Sequence, residues 1–107
     1  MSKEKYCLVY ITTKDKDEAK KIGFELVSNR LAAGVNIIDK LESIYWWEGK
    51  VQNGSEALLI AKTKESIVPA LIEKVKSLHS YEVPCVVSLP INEGSHDFLK
   101  WIDNEVN

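Results

Sequence analysis

The stretch from Gly34 to Thr63 constrains this chain more than any other. It reads as two arms rich in β-branched and aromatic residues, with turn-forming pairs at Glu48-Gly49 and Asn53-Gly54. That pattern predicts one long β-hairpin. Glycine tolerates the positive φ of a tight reversal, so Glu48-Gly49 is the favoured turn and Asn53-Gly54 a bulge or kink, with the reverse assignment open. At about 3.3 Å per residue, Val35 to Trp47 reaches roughly 43 Å. A compact chain of this length has a radius of gyration of about 13 Å, so the ribbon outruns its own globule.

The hairpin is also apolar on both sides. Simple alternation puts Val35, Ile37, Leu41, Tyr45 and Trp47 on one side of the first arm, and Ile38, Ile44 and Trp46 on the other. In the second arm Ala57, Leu59 and Ala61 oppose Leu58 and Ile60. A sheet with one wet face alternates cleanly, whereas apolar residues on both faces demand cover on both. The chain's helices can supply one cover. A second copy of the same chain is the simplest source of the other.

The remaining segments fit around this ribbon. Tyr6 to Thr13 reads as a central strand. A helix follows, with Asp15 and Glu18 at capping-box spacing and Ala19, Ile22, Gly23, Leu26 and Val27 on one stripe, ending near Asn29 to Ala32. Ser66 is expected to cap a second helix that tolerates Pro69 in its first turn and buries Val68, Leu71, Ile72, Val75 and Leu78. Pro84 ends that region, and Val83 to Ile91 reads as a strand whose prolines keep it from being central throughout. Ser95 is expected to cap a last helix presenting Phe98, Trp101 and Ile102 to the core. The order is β-α-β-β-α-β with a C-terminal helix, an α+β, ferredoxin-like sandwich forming a single domain over residues 1–107.

Composition narrows the function classes. The 107 residues carry a net charge of -2, leaving no basic field to attract nucleic acid or anionic membrane. No apolar run approaches the ~20 residues of a membrane span. The first five residues lack a signal-peptide pattern, and Cys7 and Cys85 both fall in expected strands, so they are expected as buried thiols in a cytosolic protein.

Several blocks together resemble the CutA family, the divalent-cation tolerance proteins. They are Asn29-Arg-Leu-Ala-Ala-Gly-Val-Asn36, Ser43-Ile-Tyr-Trp-Trp-Glu-Gly-Lys50, Glu56 through Thr63, His79-Ser-Tyr-Glu-Val-Pro84 and Phe98-Leu-Lys-Trp-Ile102. The match runs from Tyr6 to about Ile102 in the family's order, and the Tyr-x-Trp-x-Gly and His-x-Tyr-x-x-Pro pieces are its most specific parts. The resemblance implies a ferredoxin-like subunit in a homotrimer similar in architecture to the PII signalling proteins. It also implies a link to tolerance of copper and other divalent cations, and for animal relatives to anchoring of acetylcholinesterase. One departure stands out: Gly34 occupies a position where the family usually carries cysteine, a natural ligand for soft copper.

Candidate site residues each admit two readings. His79, Glu82 and Cys85 offer an imidazole, a carboxylate and a thiolate for copper or another divalent cation, with Tyr81 beside them. Alternatively, His79 caps the end of its helix and Cys85 is a core thiol. Tyr45, Trp46 and Trp47 can stack on a planar ligand or pack at a subunit contact. Arg30, Tyr45, Trp47, Glu56, Lys62 and Tyr81 are expected to line a ligand cleft between subunits, although an ion pair across the interface accounts for Glu56, Lys62 and Arg30 equally well. His96 has no assigned role. No nucleophile with its base, no phosphate-cradling loop and no organic cofactor motif is recognisable, so a non-enzymatic protein is expected. Its expected partners are copies of itself and a divalent metal or small ligand, with neither nucleic acid nor membrane. A PII-like signalling or scaffold trimer binding a metabolite or protein is the alternative, and an RNA-binding module comes third.

Overall fold

A computed structural model describes residues 5–107 of the chain. The first four residues, on which part of the signal-peptide reading fell, lie outside the described region. The elements are β1 (Tyr6–Thr13), α1 (Lys16–Ser28), β2 (Gly34–Trp47), β3 (Lys50–Lys64), a 3-10 turn (Glu65–Ile67), α2 (Val68–Leu78), β4 (Val86–Ile91) and α3 (His96–Glu105). The four strands form one antiparallel sheet in the order β2-β3-β1-β4. β1 is therefore central, as its two-sided apolar pattern required, and the proline-bearing β4 lies at an edge.

The hairpin sets the molecule's shape. The principal extents are 49 × 25 × 22 Å, and the long one follows a ribbon that projects past the helices. Its turn is Glu48-Gly49: Trp47 pairs with Lys50, and φ is 51° at Glu48 and 76° at Gly49. Two successive left-handed residues make the primed two-residue turn whose twist matches that of the strands. Asn53 and Gly54 pair in register with Ile44 and Ser43, so no bulge occurs there.

The irregularity lies instead between Ile38 and Leu41, with Lys40 at φ 59° and the Asp39 carboxylate accepting from the Lys40 amide at 2.8 Å. One extra residue in β2 reverses the facing of everything after it. Leu41, Tyr45 and Trp47 thus share a face with Ile38, while Ile44 and Trp46 follow Val35 and Ile37. Simple alternation had these groupings crossed because it presumes an unbroken ladder.

On one face of the sheet, Cys7, Val9, Ile11, Ala57, Leu59 and Ala61 pack against Ala19, Ile22 and Leu26 of α1 and Leu71 and Val75 of α2. α1 starts as expected, with Asp15 Oδ1 accepting from the Glu18 amide at 2.8 Å. Val27 does not join the core, because it falls at the margin of the stripe and stays exposed. α2 has Ile67 as its N-cap and no side-chain cap, with Ser66 inside the preceding 3-10 turn, so the expected Ser66 cap is not formed.

The opposite face is covered only in part. α3, capped by Ser95 through the Phe98 amide at 3.3 Å, crosses its end, where the Trp101 ring approaches so closely that a Cβ on Gly34 would lie 2.9 Å from it. Ile102 is fully buried, but Phe98 and Trp101 remain partly exposed, so only one of the three expected core residues of α3 is dry. Beyond α3 this face presents Ile38, Tyr45, Trp47, Val87 and Leu89, each about half-exposed. On the hairpin's other side, past the helices, Ile44 is 77% and Trp46 75% exposed. The strand expected from Val83 begins only at Val86, and Val87, Leu89 and Ile91 stand opposite Tyr10, Leu8 and Tyr6 on this bare face.

Two glycines of the hairpin separate backbone strain from packing. Neither has an atom within 4 Å of an added Cβ, but only Gly49 has positive φ. Gly49→Ala is expected to cost roughly 1 kcal/mol in urea denaturation, and Gly54→Ala to be neutral or slightly stabilising.

Candidate functional site

The site is built where α2 ends against the edge of the sheet. His79 is the C-cap of α2, its amide donating to the Val75 carbonyl at 2.9 Å, and its extended backbone (ψ 142°) turns the chain inward. The imidazole is fully buried. Nε2 lies 2.7 Å from the Thr12 carbonyl of β1, to which it can only donate, and Nδ1 accepts the Tyr81 amide at 3.0 Å. The ring is therefore the neutral tautomer with its proton on Nε2. It stitches the helix end to β1 rather than satisfying helix carbonyls, as the capping reading supposed.

Two carboxylates brace this loop from either side. Glu18 on α1 accepts from the Lys14 amide through Oε1 at 2.9 Å and from the Ser80 amide through Oε2 at 2.8 Å. Burial alone would raise its pKa, but the hydrogen bonds from Ser80 and Lys14 outweigh it and hold the carboxyl below its usual value. On the other side, the Tyr81 hydroxyl donates to Glu56 Oε2 on β3 at 2.7 Å. Burial, and then Glu56, push the Tyr81 phenol well above the usual tyrosine range, so it remains a donor. The His79 and Tyr81 rings touch with centroids 4.7 Å apart.

Beside this network lies an open groove of ≈ 920 Å³ between the loop after α2 and the hairpin. Tyr45, Trp47, Glu56, Tyr81, Glu82 and Cys85 all line it. Four of the six expected cleft residues thus converge. Arg30 and Lys62 do not. Arg30 sits after α1 at φ 58° and bonds the Glu105 carbonyl at 3.1 Å, while Lys62 donates to Asn36 at the end of β3 near α3. Shared parity places Lys62 on the same face as Glu56, but six residues along a strand put it beyond reach of the groove.

The expected metal set is not assembled within one subunit. Both His79 nitrogens are occupied, Glu82 and Cys85 are exposed, and no three His, Cys, Asp or Glu side chains converge among the described residues. Cys85 is not a core thiol, because it precedes β4 at the groove. Cys7 is buried as expected, and burial raises its thiol. His96 opens α3 on the surface. The sequence reading missed Glu18, Thr12 and Ser80. Glu18 was visible only as a capping residue, and a backbone carbonyl such as that of Thr12 leaves no trace in side-chain pattern.

The model of the CutA1 divalent ion tolerance protein family matches residues 7–105. This chain belongs to that family. A rice relative, "Protein CutA 1, chloroplastic", is 48% identical over 97 residues, 91% of this chain and 55% of its own length. The chain thus spans about half the length of that relative. The crystal structure of CutA1 from rice superposes with a TM-score of 0.93 at 46% identity, covering 96% of this chain and 94% of that one. The structure of the "Periplasmic divalent cation tolerance protein CutA" from Archaeoglobus fulgidus superposes with a TM-score of 0.92 at 38% identity, covering 95% and 99%. These relatives confirm the mixed α+β fold with its four-stranded antiparallel sheet and three helices. They overturn the cytosolic assignment: one is named chloroplastic and another periplasmic, so membership of the CutA family does not place a chain in the cytosol.

The lowered pKa of Glu18 makes the loop acid-sensitive. Its folded pKa lies below the unfolded value, so its stabilising contribution is complete above the unfolded pKa and is lost as pH falls through the folded one. Glu18→Gln should therefore lower stability at pH 7 and flatten the decline between about pH 5 and 3, followed by denaturant midpoints against pH.

Proposed function

We propose that the protein is a non-enzymatic, homotrimeric binding protein that serves tolerance of divalent cations, copper among them. Its ligand site is the groove beside His79, closed into a cleft when copies assemble in a PII-like arrangement. The observation that carries this reading is the sheet face left bare beyond α3, with half-exposed Ile38, Tyr45, Trp47, Val87 and Leu89. A contiguous apolar surface of this kind marks an interaction site. The sheet's two edges, β2 and β4, differ from one another, so pairing one copy's β2 edge with the next copy's β4 is a head-to-tail contact that closes a ring.

In that assembly Glu82 and Cys85, at the groove's rim, are the groups able to meet a cation together with ligands from a neighbouring copy. A thiolate suits copper, and Cys85 takes on added weight where Gly34 replaces the family's usual cysteine. His79 acts on the site by holding Tyr81, not as a ligand. A second reading, binding of a small metabolite, is favoured by the groove's size and by its Tyr45, Trp47 and Tyr81 walls.

Two measurements test these proposals. In calorimetric titration with copper, Cys85→Ser should weaken binding about tenfold or more, and unchanged affinity would remove Cys85 from the site. Ile44 is so exposed on a single subunit that Ile44→Lys would be harmless to a monomer. If the hairpin is dry in an assembly, the same change buries an unpaired charge, costs several kcal/mol, and splits or unfolds the assembly; wild-type mass and stability would contradict it.

A further inference from the structure

We propose that the groove takes an organic cation, a substituted ammonium compound with an apolar body, held between its aromatic walls and the Glu56 carboxylate. This rests on the groove being the ligand site, and it names the chemical class that the lining selects.

The lining is one-sided in charge. Among the described residues, the carboxylates on the groove's side are Glu56 and Glu82, and no lysine, arginine or histidine lines it. In a chain with 14 basic and 16 acidic residues, that separation is local and does not reflect composition. An anionic ligand would meet two carboxylates with no counter-charge among the described lining residues. Independently, Tyr10, Tyr45, Trp47 and Tyr81 give the same groove four aromatic rings. Aromatic faces carry the negative end of the ring quadrupole, and a large, weakly hydrated cation is the ligand that gains from faces and carboxylates together. A bare divalent metal gains little from rings and needs several converging oxygen, nitrogen or sulfur ligands, which the described residues of one subunit do not provide. The volume of ≈ 920 Å³ falls in the range of small-molecule sites, roughly 300–1,000 Å³, and far exceeds a single ion.

The central carboxylate is also fixed in advance. Tyr81 donates to Glu56 Oε2, and Tyr81 is itself held by His79, so Glu56 Oε1 is oriented without immobilising a free side chain on binding. Such pre-organisation reduces the entropic cost of capture. Tyr81 cannot serve as a counter-cation, and its hydroxyl is already committed, so the ligand's charge has Glu56 to itself at the groove floor.

The test uses the assembled protein with a metal chelator present. Three probes of similar size are compared by calorimetry: benzyltrimethylammonium, neutral benzyl alcohol and anionic phenylacetate. The cation should bind saturably and at least about tenfold more tightly than either other probe, and both Glu56→Gln and Glu82→Gln should reduce that preference with the solution mass unchanged. Equal binding of all three probes, or absence of saturable cation binding, overturns the proposal. So does a change in solution mass on Glu56→Gln with no cation binding, since the groove would then be filled by a second copy of the chain. Copper titration without chelator reads the metal proposal separately, so either can fail while the other stands.

Discussion

The apolar sheet face that α1 and α2 leave uncovered is the constraint on which the rest of the structure depends. α1 and α2 dry one face of the sheet over the body of the molecule, and α3 reaches only the end of the other. Apolar surface gains roughly 25 cal/mol for each Å² removed from water, so a sheet that carries Ile38, Val87 and Leu89 on its uncovered side holds unspent driving force. The hairpin adds more, since its distal half has no helix on either side. A 49 Å long axis in a chain of this size shows how far the ribbon projects beyond the globule.

The groove beside His79 depends on the same geometry. β3 delivers Glu56 to the uncovered face, and the bulge at Asp39-Lys40 turns Leu41, Tyr45 and Trp47 toward it. Without that extra residue the aromatic side chains would point the other way and the groove would lose a wall. The loop after α2 supplies the opposite wall through a relay running from Thr12 to His79, Tyr81 and Glu56, braced by Glu18. Structural stitching and groove geometry are the same set of hydrogen bonds, so the buried histidine shapes the groove without lining it.

What could be read from sequence follows from which signals are local. The Asp15 and Ser95 caps, the Glu48-Gly49 turn and the Ile22-Leu26 stripe all depend on neighbouring residues, and each appears as expected. The long hairpin was legible for the same reason. The facing of Tyr45 and Trp47 was not, because a bulge formed by ordinary residues resets parity silently. Cys85 looked buried because it alternates with valines, yet those valines lie on a face that one subunit leaves open. At the site, Tyr45, Trp47, Glu56 and Tyr81 of the expected cleft line one groove of the chain, whereas Arg30 and Lys62 lie away from it, because parity and family pattern carry no distance. His79 was recognised as important, but its two nitrogen partners are backbone groups contributed by β1 and by Tyr81, which only the fold brings together.

The account stands most directly on the mass of the unmodified protein in solution. Sedimentation equilibrium across a wide concentration range should return three times the 12.1 kDa of one chain, without dissociation on dilution. A mass of 12.1 kDa, with the hairpin tryptophans freely quenched by solvent, would contradict it.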